Sequence, residues 1–306
     1  MSLLVALVLA AEAFSAPLTL PKAARVEMTV ERSREDLRAG QTQRSTSQTR
    51  YEKTIEAQGQ GYRVTLKPLE TKLPDTPEAA KAEAALGELM NRTMVYTADE
   101  SLAPEAIEDW PALVADVRKA MTALGGDKPE AAKGLEAMTA MFSSMSAEQA
   151  ASVFLKEDGF LSIPVNAQLD PAKPAAYTET IPSPLGGPPV KSIVTLAVEK
   201  VDASRGIAAL RWTQALDPES TLATVTQMVE AILKRMGPEA ANNAELRAKF
   251  EKMVFDRTAT CDYEVALKSG LPTKAICESK LQVTDPATGQ LNGRTERWVI
   301  TQSLKN

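Results

Sequence analysis

Alternating apolar and polar positions predict two groups of β-strands, one towards each end of the 306-residue chain. Val26, Met28 and Val30 share one face of the first strand, and a Gly-Gln-Gly turn at residues 59–61 begins a later one. The predicted strands cover residues 24–32, 42–57, 62–66, 93–97, 190–201, 207–216, 258–267, 275–283 and 294–304. This alternation is typical of antiparallel sheets with one buried face.

Apolar positions at helical spacing occupy the middle of the chain. Thr76, Pro77 and Glu78 supply the cap, first-turn proline and early acid of one helix. The predicted helices cover residues 76–91, 106–124, 130–145, a short segment capped by Ser146, and a stretch striped from Leu222. Strands, then helices, then strands predict an α+β fold: a large curved antiparallel sheet, or half-barrel, with amphipathic helices packed on one face.

Both cysteines lie on neighbouring predicted strands that flank a turn at residues 268–272. Folding these strands about Ser269 places Cys261 opposite Cys277, and the same register brings both apolar faces to one side. The other expected pairs are Tyr263 with Ala275, Ala259 with Ser279, and Phe255 with Val283. We therefore predict a Cys261–Cys277 disulfide, which favours an oxidising compartment. The alternative is two buried free thiols in a cytosolic protein.

The N-terminal residues have the pattern of an export signal. The apolar run over residues 3–11 is shorter than the roughly 20 residues that a membrane-spanning helix needs. An A-x-A site follows at residues 11–13, although no Lys or Arg precedes the run. We predict a signal peptide over residues 1–16, cleaved after Ala13 or Ala16; a buried N-terminal helix is the alternative.

The rest of the chain is predicted to form one α+β domain over residues 17–306, with a proline-rich loop at residues 170–189 between its two halves. With the signal and the disulfide, this organisation predicts a soluble periplasmic or secreted protein with no integral membrane span.

The composition limits the classes of function that the protein can have. The net charge of −5 argues against nucleic acid as a partner, and the absence of histidine removes the commonest general base and metal ligand. No Ser-His-Asp set, G-x-S-x-G motif or complete phosphate-binding loop is present. The sequence therefore predicts no enzyme, no cofactor and no metal site. A hydrolase that uses two carboxylates is the remaining catalytic hypothesis.

Methionines and aromatic residues stripe the predicted central helices, and methionine suits surfaces that accept varied apolar ligands. The candidate ligand-lining residues are Trp110, Met121, Met138, Met141, Phe142 and Met145. Ordinary core packing of helices against a sheet is the alternative reading of the same stripe.

An exported chain of long amphipathic strands with helices across the sheet resembles the LolA/LolB-type lipoprotein carriers and bacterial envelope proteins of similar build. The resemblance concerns architecture over residues 24–304, and no family motif accompanies it. It implies a half-open barrel whose apolar cavity holds a hydrophobic small molecule, a lipid or the acyl chains of a partner. The alternative is a structural or interaction module of the cell envelope with a solid core, whose partner is another envelope protein.

Overall fold

The computed structural model describes residues 13–74, 76–125, 139–140, 142–181, 189–221, 223–224, 226–227, 255–284 and 288–305. Its strands are β1 (Phe14–Ser15), β2 (Ala23–Arg38), β3 (Gln41–Gln58), β4 (Gly61–Lys72), β5 (Met94–Ala98), β6 (Pro104–Ile107), β7 (Gln168–Leu169), β8 (Ala175–Ile181), β9 (Val190–Asp202), β10 (Ile207–Leu216), β11 (Phe255–Ala266), β12 (Pro272–Thr284) and β13 (Leu291–Lys305). Its helices include α1 (Pro77–Met90), α2 (Trp110–Gly125), α3 (Ala147–Phe154) and α4 (Lys156–Ser162).

Eleven of these strands form one antiparallel sheet in the order β6-β5-β4-β3-β2-β13-β12-β11-β10-β9-β8. The last strand, β13, pairs with β2, so the two groups of strands expected from the sequence join at the centre of a single sheet. The sheet is not closed into a barrel, because β6 and β8 are its two ends. The α+β class is confirmed, while the curvature and the gathering of the helices on one face stay predictions.

One face of the sheet carries most of the buried side chains, and we call it the inner face. Side chains alternate between the two faces along each strand, so each strand contributes every second residue to this face. Its most deeply buried members include Val26, Met28, Ile55, Val64, Tyr96, Leu210, Cys261, Tyr263, Cys277, Trp298 and Ile300. Together with residues from the helices, they form the hydrophobic core.

The predicted cysteine hairpin is confirmed. Cys261 pairs with Cys277 between β11 and β12, and their sulfurs are bonded, with 4.1 Å between the two Cα atoms. The register also gives the other expected pairs, Tyr263 with Ala275, Ala259 with Ser279, and Phe255 with Val283. Both cysteines are completely buried on the inner face, so the bond lies within the core.

Two local predictions are wrong. Within the predicted loop at residues 170–189, Ala175–Ile181 forms β8, which pairs with β9 at the end of the sheet. Its Tyr, Thr and Ile residues favour strands, whereas the nearby prolines lie outside it. The helix predicted from residue 106 begins only at Trp110, because Pro104–Ile107 pairs with β5 as β6.

The start of the described chain belongs to the folded structure. β1 pairs with β7, Phe14 opposite Leu169, and Phe14 and Ala16 are both buried. The following residues pass the turn of the cysteine hairpin, where Gly270 has a φ of 68°. A Cβ on Gly270 would lie only 2.6 Å from the carbonyl oxygen of Ala16, so this close approach requires glycine.

Two short helices, α3 and α4, lie side by side in the chain between residues 147 and 162. Ser146 caps α3 as predicted: its hydroxyl accepts a hydrogen bond from the Gln149 backbone at 3.2 Å, and the Gln149 side chain accepts one from the Ser146 backbone at 2.9 Å. α4 follows directly and has no counterpart in the sequence prediction. Among the described residues, no helix combines the length and the apolar character that crossing a membrane requires.

Candidate ligand-binding site

α4 lies on the inner face of the sheet and is held there by aromatic contacts. The ring of Phe160 is 5.2 Å from the ring of Trp298 on β13 and 6.5 Å from that of Trp212 on β10. The Tyr263 hydroxyl on β11 also donates a hydrogen bond to the Phe160 carbonyl oxygen at 3.0 Å. Contacts with three strands therefore fix the position of this short helix.

A buried ion pair also links α4 to the sheet. The Lys53 ammonium on β3 contacts the Asp158 carboxylate, and the two side chains are only 3% and 2% exposed. Tyr96 on β5 lies nearby and is fully buried. Burial and the neighbouring Asp158 carboxylate raise the pKa of Tyr96 well above its usual value. The aromatic and ionic contacts together hold α4 against the inner face.

Trp298 is the point where the apolar interior meets charged groups. The Lys156 ammonium lies 4.1 Å from the centre of its ring system, and the Arg32 guanidinium lies 5.6 Å away. The Trp298 indole also donates a hydrogen bond to the Glu157 carboxylate at 3.2 Å. Burial raises the pKa of Glu157, so proximity to Arg32 and Lys156 only partly compensates for its loss of water.

Beyond Trp298, the inner face becomes rich in cations. Strand pairing places Arg32 beside Trp298, and Arg34 beside Glu296 one step further along the same strands. Arg257 and Arg294 both lie opposite Leu281 in the next step, one on each side of it. We call the cations of this region the basic strip: Arg32, Arg34, Lys156, Arg257 and Arg294.

Three carboxylates accompany the basic strip on the sheet. Asp36 forms ion pairs with Arg34 and Arg294, and Glu296 forms ion pairs with Arg32 and Lys156. The third, Glu179, accepts hydrogen bonds from the side chains of Gln214 and Ser192. Among the described residues, no carboxylate is within ion-pair distance of Arg257.

These charged groups and their burial shift the pKa values of several side chains. Hydrogen bonding from Arg34, against a smaller effect of burial, lowers the pKa of Asp36 to about 2. Burial alone would raise the pKa of Glu296, but Arg32 and Lys156 outweigh it and lower that pKa. Burial lowers the pKa of Lys156, and it also lowers that of Arg257. Lys156 and Arg257 are therefore partly removed from water.

Acid should weaken the fold through Asp36. The pKa of this carboxyl falls from 3.8 to about 2 on folding, so its contribution is complete above pH 4 and is lost as the pH falls towards 2. Allowing for solvent screening, we expect a loss of about 1 kcal/mol in unfolding free energy over this range. Urea unfolding at several pH values, with Asp36→Asn as the control, measures it. Equal pH slopes for the two proteins would contradict the assignment.

The predicted ligand-lining residues come together only in part. Trp110 and Phe142 both contact Phe154, with ring centres 5.5 Å and 5.7 Å from the Phe154 ring. The Trp110 indole donates a hydrogen bond to the Met145 carbonyl oxygen at 2.9 Å. Met121 is half-buried and lies eleven residues beyond Trp110 on α2, roughly 16 Å along the helix axis. The other two predicted residues, Met138 and Met141, lie outside the described residues.

A small pocket adjoins the basic strip. It measures about 240 Å³ and is lined by Arg32 and Arg34 of β2, by residues 45–47 of β3, and by Leu73 and Pro74 after β4. Two guanidinium groups therefore border a concave surface at this part of the sheet.

Sequence reasoning missed the groups that organise this site. α4 is a seven-residue helix with Gly159 in its interior and charged residues at its start, which is not a strong helical pattern. Lys53 did give a signal, because it occupies an inward position between Tyr51 and Ile55 in the alternation of β3. A lysine on a buried face requires a partner, and that partner is Asp158.

Comparisons with known proteins add no assignment. No protein-family model matches the chain, and a search of curated proteins finds no significant relative. Among the described residues, no group of three or more acidic or cysteine side chains is arranged to hold a metal ion.

Proposed function

We propose that this protein is exported and binds an apolar ligand, or the lipid part of a lipidated partner, between its sheet and its helices, without catalysing a reaction. One observation carries the proposal: beside the part of the inner face that α4 covers, apolar side chains are only half-buried. Phe255, Leu281 and Val283 are such residues, whereas Trp298 and Cys277 near α4 are fully buried. Apolar surface of this kind gains free energy when a ligand displaces its water.

The architecture supports the same proposal. α4 lies on the inner face, and residues of α2 and α3 belong to the same hydrophobic core. If the other helices also lie across this face, as the sequence predicts, an open sheet leaves room for a ligand between the two layers, as the resemblance to lipoprotein carriers implies. The half-exposed Phe142, Phe154 and Met145 extend the apolar surface towards the helices.

Export is supported by the disulfide, because such bonds persist in oxidising compartments. Residues 1–12, which hold most of the proposed signal, lie outside the described residues. Of the two cleavage sites expected from the sequence, the one after Ala13 keeps β1, whereas the one after Ala16 removes it and its buried Phe14. We therefore favour a mature chain that begins at Phe14.

Native mass spectrometry of the protein, produced with its own N-terminus and recovered from a bacterial periplasm, tests the proposal. We expect a polypeptide mass that begins at Phe14, together with a bound species of lipid-like mass. After delipidation, a lauroyl lipid should bind and change the fluorescence of the buried tryptophans. Phe255→Ala should weaken this binding by about tenfold, since burial of a Phe side chain contributes about 1.5–3 kcal/mol.

Val153→Ala is the matched control, because Val153 on α3 is 52% exposed and takes no part in the core. It should leave the affinity unchanged. Repeated recovery of ligand-free protein, with no fluorescence response to added lipid, would overturn the proposal. That result would favour the alternative, an envelope module whose interior is solid.

A further inference from the structure

Within the described part of the chain, Arg257 has no carboxylate at ion-pair distance, whereas the other four cations of the basic strip each have one. It lies on the inner face because it is two residues from Ala259 and four from Cys261, both of which are buried there. Its guanidinium is partly buried and feels the charges of Glu179 and Glu296 only from beyond ion-pair distance. Both carboxylates already accept hydrogen bonds from other side chains.

Other cations surround the same place. The Arg257 and Arg32 charges both act on Lys156, and all three of these cations act on or contact Glu296. Glu296 therefore faces more positive charge than it balances. Burial raises the pKa of Glu157, the carboxyl that accepts the hydrogen bond of the Trp298 indole.

Placing like charges together in a partly dehydrated region is unfavourable unless an anion joins them. A phosphate or carboxylate group suits arginine especially well, because the planar guanidinium donates two parallel hydrogen bonds to it. The arrangement of Arg257 with Lys156 thus has the charge and the donors of an anion-binding site.

The surroundings of Arg257 indicate an amphiphile as the source of the anion. Leu281 lies directly opposite Arg257, and Phe255 and Val283 form the next pair along the same two strands. All three are half-buried apolar side chains. A ligand that covers them and also reaches Arg257 needs an apolar chain with a negatively charged end.

We propose that Arg257, in the region of the inner face that Lys156 also charges, binds the phosphate or carboxylate headgroup of an amphiphile whose apolar chain lies on the inner face of the sheet. This inference rests on the proposed function and makes it specific: the ligand is an anionic lipid-like molecule. Arg257 supplies the paired donors, and Lys156, which lies over the Trp298 ring, adds positive charge to the same region.

The test compares two lipids that share one chain, lauroyl lysophosphatidate and monolaurin, by calorimetry on the delipidated protein. We expect lysophosphatidate to bind at least about tenfold more tightly than monolaurin, because hydrogen bonds to a charged group contribute about 1.5–3 kcal/mol. Arg257→Met should remove this preference, so that the two lipids bind with similar affinity. Arg257→Lys should keep part of it.

Arg297→Met is the matched control, since Arg297 is an exposed residue on the outer face of β13; it should keep the full preference.

Equal binding of both lipids by the unmodified protein overturns the anionic assignment and leaves the proposed function intact. Binding of neither lipid overturns the proposed function as well. If inorganic phosphate binds as tightly as lysophosphatidate, the amphiphile assignment is wrong. If Arg257→Met fails to fold, the comparison of the two lipids on the unmodified protein decides.

Discussion

Replacing Lys53 by methionine should lower the free energy of unfolding by about 3–5 kcal/mol, the largest effect that we expect from any single substitution here. The reason is that Asp158 would remain in the core without its partner. Asp158 is 2% exposed and has lost its water, so removal of the Lys53 ammonium leaves a charge without compensation in the core. Methionine keeps most of the apolar volume of the lysine stem, which separates loss of charge from loss of packing.

Chemical denaturation followed by circular dichroism measures this effect. The double variant Lys53→Met with Asp158→Leu should recover most of the lost stability, because an apolar pair in place of a buried ion pair is often neutral or stabilising. Lys119→Met is the control: its partner Glu88 is 83% exposed, and we expect no measurable change. If Lys53→Met proves as mild as this control, the pair does not hold α4 on the sheet.

Long strands could be predicted from sequence because their signal is repeated many times. The cysteine hairpin illustrates this: one register satisfied the alternation of both strands and also aligned Cys261 with Cys277. The pairing of strands that are distant in the sequence was not predictable in the same way. Nothing local to β13 indicates that it pairs with β2, a contact between residues more than 250 positions apart. Short edge strands such as β6 and β8 carry too few alternating positions to be distinguished from a helix start or a loop.

The candidate site was harder to predict than the fold, for a related reason. Helical spacing places Phe142 and Met145 on one side of a single predicted helix, but it does not show that this helix meets Trp110 on another. Arg257 carried no such signal. An arginine at an inward strand position becomes meaningful only when the cross-strand register shows which charges lie beside it.

Loss of the Cys261–Cys277 bond should lower the free energy of unfolding by about 3 kcal/mol. The bond closes a loop with a sequence separation of 16, and in the chain-entropy model a loop of about 15 residues gives a stabilisation of this size. The double variant Cys261→Ala with Cys277→Ala tests it, with the unmodified protein unfolded in parallel under reducing and oxidising conditions. Both routes should give a similar loss relative to the oxidised protein.

The rate at which a reductant breaks the bond in the folded protein tests where the bond lies. Both cysteines are fully buried under the inner face, so a reductant reaches the sulfurs only when the hairpin opens. Reduction of the folded protein should therefore be slow and should accelerate in denaturant well before global unfolding is complete. Rapid reduction under native conditions, or a double variant as stable as the oxidised protein, would contradict a bond within the core. Because the disulfide is also the main support for export, purified protein with two free thiols would weaken the proposal of a lipid-binding protein of the periplasm.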